Sequence, residues 1–284
     1  MLGAIIGDVV GTRFEFHPIK TKDFKLFSKN ECFDKNGELT IGFFSGGSRF
    51  SDDTAMTIAV CKALLNCNGD YSNLREKTVE CLKFYGKKYP FLGYGLRFNN
   101  WLMSKSSEPY NSFGNGSAMR VSPVAYFANS LEELKELSKM VTDVTHNHPE
   151  GLKGAEAVAV CIWLALNKKN KEEIKQYVEE HYYSLDFDYN NLVENYKFDE
   201  TCQGSVPQAI YGFLISNSFE DTLRTVVSMG GDADTMGAIA GAIAEAYYGI
   251  PNEIETKVFE YLPQDFIEII EEFKTHINNK QKGE

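Results

Sequence analysis

The stretch GGDADTMGAIAGA, from Gly230 to Ala242, decides how this chain is expected to fold. Its two leading glycines allow a sharp turn, and the small apolar residues that follow predict a helix packed closely against its neighbours. Asp232, Asp234 and Thr235 lie at the start of that helix, where acidic residues stabilise the positive end of the helix dipole. Capping needs only one carboxylate, so the second carboxylate and the hydroxyl suit a hard cation such as Mg²⁺ or Mn²⁺.

Three familiar acidic motifs do not fit. In an EF-hand loop, Met236 and Ile243 would stand at positions that require oxygen ligands. In a DxDxT aspartyl-phosphatase motif, the threonine would stand where the chain has Met236. A DDxxD diphosphate-synthase motif starting at Asp52 lacks its third acid. Plain N-capping of a helix and metal binding remain the two interpretations of the stretch.

A second cluster of the same kind, Ser51-Asp52-Asp53-Thr54, precedes another apolar helical segment. Adjacent carboxylates repel each other, which disfavours ionisation of both unless a cation lies between them. Two such clusters in one chain are difficult to explain as capping. If they meet in space, they can hold two cations about 3.5–4 Å apart.

The composition of the 284 residues is that of a globular chain, with 43% hydrophobic residues and 24% charged residues. The net charge of −11 disfavours broad binding to nucleic acid. No run approaches the roughly 20 apolar residues of a membrane span, and the apolar start lacks the basic leader of a signal peptide. None of the six cysteines forms a CxxC pair, so we expect buried free thiols and a cytoplasmic location.

Helical patterns dominate the rest of the chain. The clearest helical segments are 51–65, 130–141, 154–167, 206–216 and 218–229, and Phe266, Ile270, Phe273 and Ile277 form a last apolar stripe. Ser130 followed by Glu133 predicts a capping box. The best strand candidate is TIGFF at 40–44, inside what looks like an extended loop over 16–50.

These patterns predict one compact all-α domain. We expect it to cover residues 1–277, with a flexible tail at 278–284. Segment 184–204 is rich in Tyr, Asp and Asn and reads as irregular or as a short helix pair.

Two loops and one acid are candidates for contacting a ligand. The glycines around Asn115 would let a ligand approach the backbone, and the helix start that follows offers N–H groups to an anion, although on local grounds a simple turn and helix start is the preferred interpretation. His146 can contact a phosphate or a ribose, although an ordinary loop histidine is the preferred local interpretation, and a zinc site is not expected because companion ligands are missing. Glu15, which opens the loop after GDVVG, is either a solvated residue or a general base on a lid.

Taken in order, these motifs resemble the ADP-ribosylglycohydrolase family, which includes dinitrogenase reductase-activating glycohydrolase and the ADP-ribosyl-acceptor hydrolases. The matching segments are GDVVGTRFEF, SDDTAM, GNGSAMRVSPVAY, the Thr145-His146 pair and GGDADTMGAIAGAIAEAYYG. They span nearly the whole chain. The resemblance implies an all-α orthogonal bundle with two Mg²⁺ or Mn²⁺ ions in a central dinuclear cleft.

The resemblance also implies roles for individual residues. The implied metal ligands are Ser51, Asp52, Asp53, Asp232, Asp234 and Thr235. The implied substrate-binding residues are Ser112, Phe113, Gly114, Asn115, Gly116, Ser117 and His146. Glu15 matches the family's flap residue, and either Glu15 or an aspartate beside the metals, here Asp53, would act as the general base.

The implied activity is metal-dependent hydrolysis of an N- or O-glycosidic bond at ribose C1″, which releases ADP-ribose from a modified protein or another conjugate. Ser51 keeps the hydroxyl of the more usual threonine, whereas Arg49-Phe50 departs from the usual context of the motif. The GNGS segment is closer to the bacterial activating branch and points to an arginine-linked acceptor. Three alternatives are a non-catalytic ADP-ribose-binding protein of the same fold, a hydrolase of another ADP-ribose conjugate and a metal-dependent enzyme acting on another phosphorylated ribose. We expect a monomer.

Overall fold

A computed structural model describes residues 1–28, 32–33, 39–40 and 47–283. Within these ranges the α-helices are α1 (Leu2–Gly11), α2 (Asp52–Cys67), α3 (Leu74–Lys88), α4 (Leu96–Met103), α5 (Gly116–Arg120), α6 (Val124–Phe127), α7 (Leu131–Thr142), α8 (Pro149–Leu166), α9 (Lys171–His181), α10 (Tyr189–Asn195), α11 (Cys202–Ile215), α12 (Phe219–Met229), α13 (Ala233–Tyr248), α14 (Asn252–Val258) and α15 (Gln264–Gly283). Short 3-10 helices cover Thr12–Phe14, Tyr71–Asn73 and Phe259–Tyr261. The prediction of an all-α fold is confirmed.

The described strands form one small antiparallel pair. Strand β1 (Cys32–Phe33) pairs with β2 (Leu39–Thr40), so that Cys32 lies opposite Thr40. Of the predicted strand TIGFF, Thr40 lies in β2 and residues 41–44 lie outside the described residues. Residues 16–28 form no helix or strand, as expected for an extended loop.

Side-chain caps explain where several helices begin. Ser218 accepts a hydrogen bond from the N–H of Asp221 at the start of α12, and Ser130 accepts one from the N–H of Glu133 at the start of α7. The predicted capping box at Ser130 is only half formed, because the Glu133 carboxylate accepts from Asn129 instead. Segment 184–204 contains one short helix, α10, before α11 begins.

Helix α13 lies at the centre of the fold. All of its residues from Ala233 to Ala244 are buried, and the helix packs against α1, α8, α11 and α12. All ten residues of α1 are buried as well. This explains the run of small residues in the deciding stretch, since bulky side chains would hold the neighbouring helices away from α13.

The contact between α1 and α13 is made by backbone rather than by side chains. A Cβ atom on Gly7 would overlap the carbonyl group of Gly237, and one on Gly3 would overlap the carbonyl oxygen of Gly241. Glycine is therefore required here for the close approach of two helices, not for an unusual backbone conformation.

The chain end differs from the expectation of a flexible tail at 278–284. Helix α15 continues to Gly283, and Lys280 Nζ donates hydrogen bonds to the carbonyl oxygens of Phe127 and Ala128 at 3.1 and 2.9 Å. These carbonyls lie at the end of α6, where backbone acceptors have no partner within the helix. The lysine thus ties the last helix to α6.

None of the helices in the described part of the chain is both long and apolar enough to cross a membrane. The described residues also contain no disulfide bond. Cys61, Cys67, Cys81, Cys161 and Cys202 are buried free thiols.

Replacing Gly7 should test the close contact between α1 and α13. Gly7→Ala should lower the free energy of unfolding by roughly 1–3 kcal/mol or more, because the added methyl group meets a backbone carbonyl that cannot rotate away. Gly95→Ala is the matched control, since a Cβ there meets no atom within 4 Å. Urea unfolding of both variants decides: equal stability of the two would contradict the packing described here.

Candidate active site

The start of α2 is held by a buried carboxylate on α1. Asp8 accepts hydrogen bonds from the backbone N–H groups of Ser51 at 2.9 Å and Thr54 at 3.0 Å, and from the Thr54 hydroxyl. The Ser51 hydroxyl accepts from the N–H of Asp53 at 3.1 Å and caps the helix. Asp8 therefore fixes the position of the first acidic cluster relative to α1.

The second acidic cluster lies on the turn between α12 and α13. Gly230 and Gly231 have φ angles of 75° and 76°, a region that favours glycine over other residues. A Cβ on Gly231 would also overlap the ring of Tyr196. The turn puts Asp232 and Asp234 at the buried start of α13.

Residues 15–28 pass beside this turn and bring Glu15 to the acids. Lys20 Nζ donates to the carbonyl oxygen of Met229 at 2.6 Å. From α12, Arg224 Nη1 donates to the carbonyl oxygens of Lys22 and Phe24 at 2.8 and 2.6 Å. These hydrogen bonds attach the loop that follows Glu15 to the end of α12.

The carboxylates converge in two groups that share one residue. Oxygen atoms of Asp8, Asp53 and Asp234 lie within 4.8 Å of one another, and so do oxygen atoms of Glu15, Asp232 and Asp234. Asp53 Oδ1 is buried and has no hydrogen-bond partner among the described residues. A buried carboxylate oxygen without a donor is expensive to desolvate, and a cation would satisfy it. The donor set, all oxygen, fits a hard divalent cation.

The remaining predicted ligands lie close by. The hydroxyls of Ser51 and Thr235 donate to Asp53 Oδ2 at 3.2 and 3.3 Å. Asp52 lines the cleft described below but belongs to neither carboxylate group. The structure thus brings Asp53, Asp232 and Asp234 together and adds Asp8 and Glu15 to them.

Burial and mutual repulsion raise the pKa values of Glu15, Asp52, Asp53 and Asp234. The pKa values of Asp52, Asp53 and Asp234 rise well above the ordinary value, first because of desolvation and then because of neighbouring negative charges. The pKa of Glu15 rises to about 7, mainly through desolvation and then through the charge of Asp232. A cation between the carboxylates would oppose both effects.

The acids open onto a cleft of about 300 Å³. Its acidic lining residues are Glu15, Asp52, Asp53, Glu200, Asp232 and Asp234. Arg97, Arg120 and His146 line the same cleft. One cavity therefore combines an acidic centre with groups that can bind an anion.

The glycine-rich loop joins the acids to His146. Asn115 Nδ2 donates to Asp232 Oδ2 at 2.7 Å, and the Asn115 N–H donates to the carbonyl oxygen of Glu200 at 2.8 Å. A Cβ on Gly116 would lie 3.5 Å from His146 Nε2. Of the loop residues predicted to bind substrate, Ser112, Gly114, Asn115 and Gly116 line the cleft.

Phe113 and Ser117 are placed differently from the other loop residues. Among the described residues, neither is part of the lining of the cleft. The Ser117 hydroxyl is fully buried and donates to the carbonyl oxygen of Gly151 at 2.8 Å. Phe113 is partly exposed and packs against His148, with ring centroids 5.2 Å apart. In the structure both residues support the loop from outside the cleft.

His146 is buried at the cleft wall. Its Nδ1 atom lies 2.7 Å from the Thr145 hydroxyl, and that hydroxyl accepts a hydrogen bond from Arg120 Nη2, also at 2.7 Å. Desolvation, followed by the charges of Arg120 and Arg97, lowers the pKa of His146 well below its ordinary value. His146 is therefore a neutral imidazole at neutral pH.

Sequence reasoning did not place three of these residues in the site. The only local signal for Asp8 is the Gly-Asp pair in GDVVG, on a helix that lacks other polar residues. Arg120 and Thr145 gave no local signal beyond their places in GNGSAMR and next to His146. Their roles depend on contacts between distant segments.

Known proteins resemble this chain along most of its length. Residues 1–282 match the sequence model of the family described as ADP-ribosylglycohydrolase. The chain is 27% identical to human ADP-ribosylhydrolase ARH3, over 88% of this chain and 84% of that protein. It is 26% identical to ADP-ribosylarginine hydrolase Tri1 of Pseudomonas putida, over 88% of this chain and 70% of that protein.

A solved structure supports the fold. A chain of an ADP-ribosylglycohydrolase-related protein complex superposes with a TM-score of 0.66 at 23% identity, covering 96% of this chain and 93% of that one. Because the family model matches from residue 1 to residue 282, the resemblance drawn from the motifs is confirmed, and the chain belongs to the ADP-ribosylglycohydrolase family.

Proposed function

We propose that this protein is a hydrolase that releases ADP-ribose from a modified acceptor by cleaving the glycosidic bond at ribose C1″. The observation that carries the proposal is the cleft in which two carboxylate groups sharing Asp234 are joined through Asn115 to a glycine-rich loop. Such a cleft offers separate places for a sugar and for a diphosphate. The names of human ARH3 and of Tri1 describe the same class of reaction for those relatives.

We further propose that two Mg²⁺ or Mn²⁺ ions are bound at the acidic centre. Asp8, Asp53 and Asp234 would hold one, and Asp232 and Asp234 the other, with Ser51, Asp52 and Thr235 close by and the Glu15 carboxylate at the edge of the second group. When bound, such cations orient oxygen ligands and make a nearby water more acidic. The unpartnered Asp53 Oδ1 supports this assignment.

Glu15 is the proposed general base. Its carboxylate lies at the edge of the acidic centre and lines the cleft, so it can reach a water molecule that attacks a sugar bound there. Asp53 is the second candidate, but its Oδ2 atom already accepts hydrogen bonds from two hydroxyls. The protein's other contribution is to hold the sugar and the diphosphate in a fixed pose.

The cleft lining favours a positively charged acceptor such as ADP-ribosylated arginine. Glu200 and Phe198 both line the cleft, and Phe198 stacks on the exposed ring of Phe16, the residue after Glu15, with centroids 5.9 Å apart. A planar guanidinium group is attracted both by aromatic faces and by carboxylates. The printed name of Tri1 gives arginine as the acceptor for that relative.

A panel of substrates tests the reaction and the acceptor. The protein is incubated with ADP-ribosylated arginine, ADP-ribosylated serine peptide and ADP-ribosylated nucleic acid, in Mg²⁺, in Mn²⁺ or in EDTA. We expect release of ADP-ribose from the arginine conjugate with metal and none in EDTA. Release of ADP-ribose from the serine peptide alone would contradict the proposal that arginine is the acceptor. Tight binding of ADP-ribose without any release would mean a non-catalytic protein, and no interaction at all would favour another phosphorylated ribose.

The role of Glu15 predicts a split between turnover and binding. Glu15→Gln should lower turnover by about 100-fold or more, because the variant cannot take the proton from water. Its affinity for ADP-ribose should stay within about tenfold of wild type. Asp23→Asn, an exposed acid on the same loop, is the control and should keep full turnover. Full turnover of the Glu15 variant would remove Glu15 from the mechanism.

The raised pKa of Glu15 predicts a pH-dependent stability difference. A carboxyl group whose pKa rises on folding binds more protons in the folded state, so its contribution to stability falls as pH rises. For Glu15 the loss develops between pH 4.5 and about 7. In EDTA the Tm of wild type should therefore fall relative to that of Glu15→Gln across this range, and Mg²⁺ should reverse the difference. Thermal unfolding at several pH values measures it, and a constant difference would contradict the electrostatic account.

A further inference from the structure

Arg120 is a buried cation without an acidic partner. Arg120 is only 1% exposed, and none of the described carboxylates forms a salt bridge with it. The ionisable groups that interact with its charge are Tyr110, Cys202 and His146, and its guanidinium lies 5.7 Å from the centre of the Phe98 ring. Its Nε atom has no hydrogen-bond partner among the described residues. Burying an uncompensated charge is costly, so the position of Arg120 at the cleft needs an explanation.

The hydrogen bonds from Arg120 have a defined direction. A guanidinium group only donates, so the Thr145 hydroxyl accepts from Arg120 Nη2 at 2.7 Å. That hydroxyl has a single hydrogen, and the acceptor within reach is His146 Nδ1 at 2.7 Å. Because Thr145 is fully buried, an unused hydroxyl hydrogen would be unfavourable. The chain of donors therefore leaves Nδ1 without a proton and puts the imidazole hydrogen on Nε2.

The protonated nitrogen faces the glycine-rich loop. His146 Nε2 lies 3.5 and 3.8 Å from the positions that a Cβ would take on Gly116 and on Gly114. The absence of side chains there leaves the N–H open to the cleft. The charged groups that influence the ring are Arg120 and Arg97, both cations, and Tyr110 packs against it with centroids 6.1 Å apart. The two cations that influence the ring thus favour a negatively charged partner for the Nε2–H group.

Thr145 is itself held in place by the chain that leads into the loop. Its carbonyl oxygen accepts from the N–H groups of Tyr110 and Ser112, both at 3.4 Å, and its N–H donates to the carbonyl oxygen of Thr142 at 3.2 Å. These bonds fix the backbone of Thr145, and the hydrogen bond from Arg120 holds its hydroxyl beside His146 Nδ1. The backbone that positions the loop also positions the donor chain.

We propose that Arg120 and Thr145 are positioning residues that fix His146 as a neutral Nε2–H donor to an anionic group, of the phosphate class, bound over the glycine-rich loop. If the ligand is ADP-ribose, as in the proposed function on which this part of the inference rests, the anionic group is its diphosphate. Arg120 supplies positive potential through the donor chain, and the bound anion supplies the counter-charge that the protein lacks there.

The first test determines the tautomer in the wild-type protein and uses a variant only to assign the signal. Nitrogen-15 NMR of the imidazole groups in the wild-type protein identifies the tautomer, and His146→Ala assigns the signal of His146 among the five histidines. We expect protonation at Nε2 alone, and an Nε2 signal that shifts when inorganic pyrophosphate is added. A proton on Nδ1, or no response to pyrophosphate, would overturn the proposal.

Thr145→Val tests the positioning role. The valine has the shape of threonine but no hydroxyl, so His146 should populate both tautomers. The affinity for ADP-ribose and for pyrophosphate should fall by about fivefold to tenfold. Thr145→Ser, which keeps the hydroxyl, should restore a single tautomer and an affinity within about twofold of wild type. Adenosine, which has no phosphate, should bind wild type and both variants equally.

A double-mutant comparison separates positioning from general loss of structure. In a His146→Ala background, Thr145→Val should cause no further loss of affinity, because the donor it orients is gone. A further loss of the same size would show that Thr145 acts independently of His146 and would overturn the proposal. If wild type fails to bind ADP-ribose, the proposed function fails, while the tautomer and the response to pyrophosphate still decide this inference.

Discussion

The backbone contact between α1 and α13 is the constraint on which the rest of the site depends. Gly7 meets Gly237 without any side chain between them, so Asp8 on one helix and Asp234 on the other come within reach of Asp53. Asp8 then uses its oxygen atoms to fix the start of α2. Three helices from distant parts of the chain thereby deliver carboxylates to one buried point. A wider separation of α1 and α13 would leave these acids as isolated caps.

The carboxylates and Arg120, which line the same cleft, each lack a neutralising partner of opposite charge among the described residues. The acids are buried beside one another and are short of positive charge, as their raised pKa values show. Arg120 is buried beside no acid and is short of negative charge. A salt bridge between Arg120 and one of the acids would have neutralised both charges. The glycine-rich loop prevents this, because it lies between the acids and His146. A substrate that carries a diphosphate, together with cations that bind its sugar, would correct both deficits at once.

The sequence predicted the parts of the site whose signals are local. Two acidic clusters at helix starts, two glycines in a turn and a glycine-rich loop were each visible in a few adjacent residues, and their order along the chain indicated the family. The half-formed capping box at Ser130 shows the limit of such patterns, because Asn129 took the carboxylate that the motif assigns to Ser130.

The roles of Asp8 and of the Arg120–Thr145 pair could not be predicted from patterns of adjacent residues. Their partners are more than twenty positions away, and only the packed helices bring them together. The extension of α15 past residue 277 has the same origin, since Lys280 finds its carbonyl acceptors on α6.

The way in which the loop after Glu15 is attached has a consequence for sequence variation. Lys20 reaches a backbone carbonyl of α12, and Arg224 of α12 reaches the backbone carbonyls of Lys22 and Phe24. Since Arg224 contacts carbonyl groups that every amino acid possesses, these two hydrogen bonds do not depend on which side chains stand at positions 22 and 24. Those side chains make contacts of their own, Lys22 with Asp221 and Phe24 with Phe14. An insertion or deletion between residues 15 and 24 would instead move the anchoring points out of register and carry the Glu15 carboxylate away from the acids. Sequence variation in this segment should therefore consist of substitutions that leave its length unchanged.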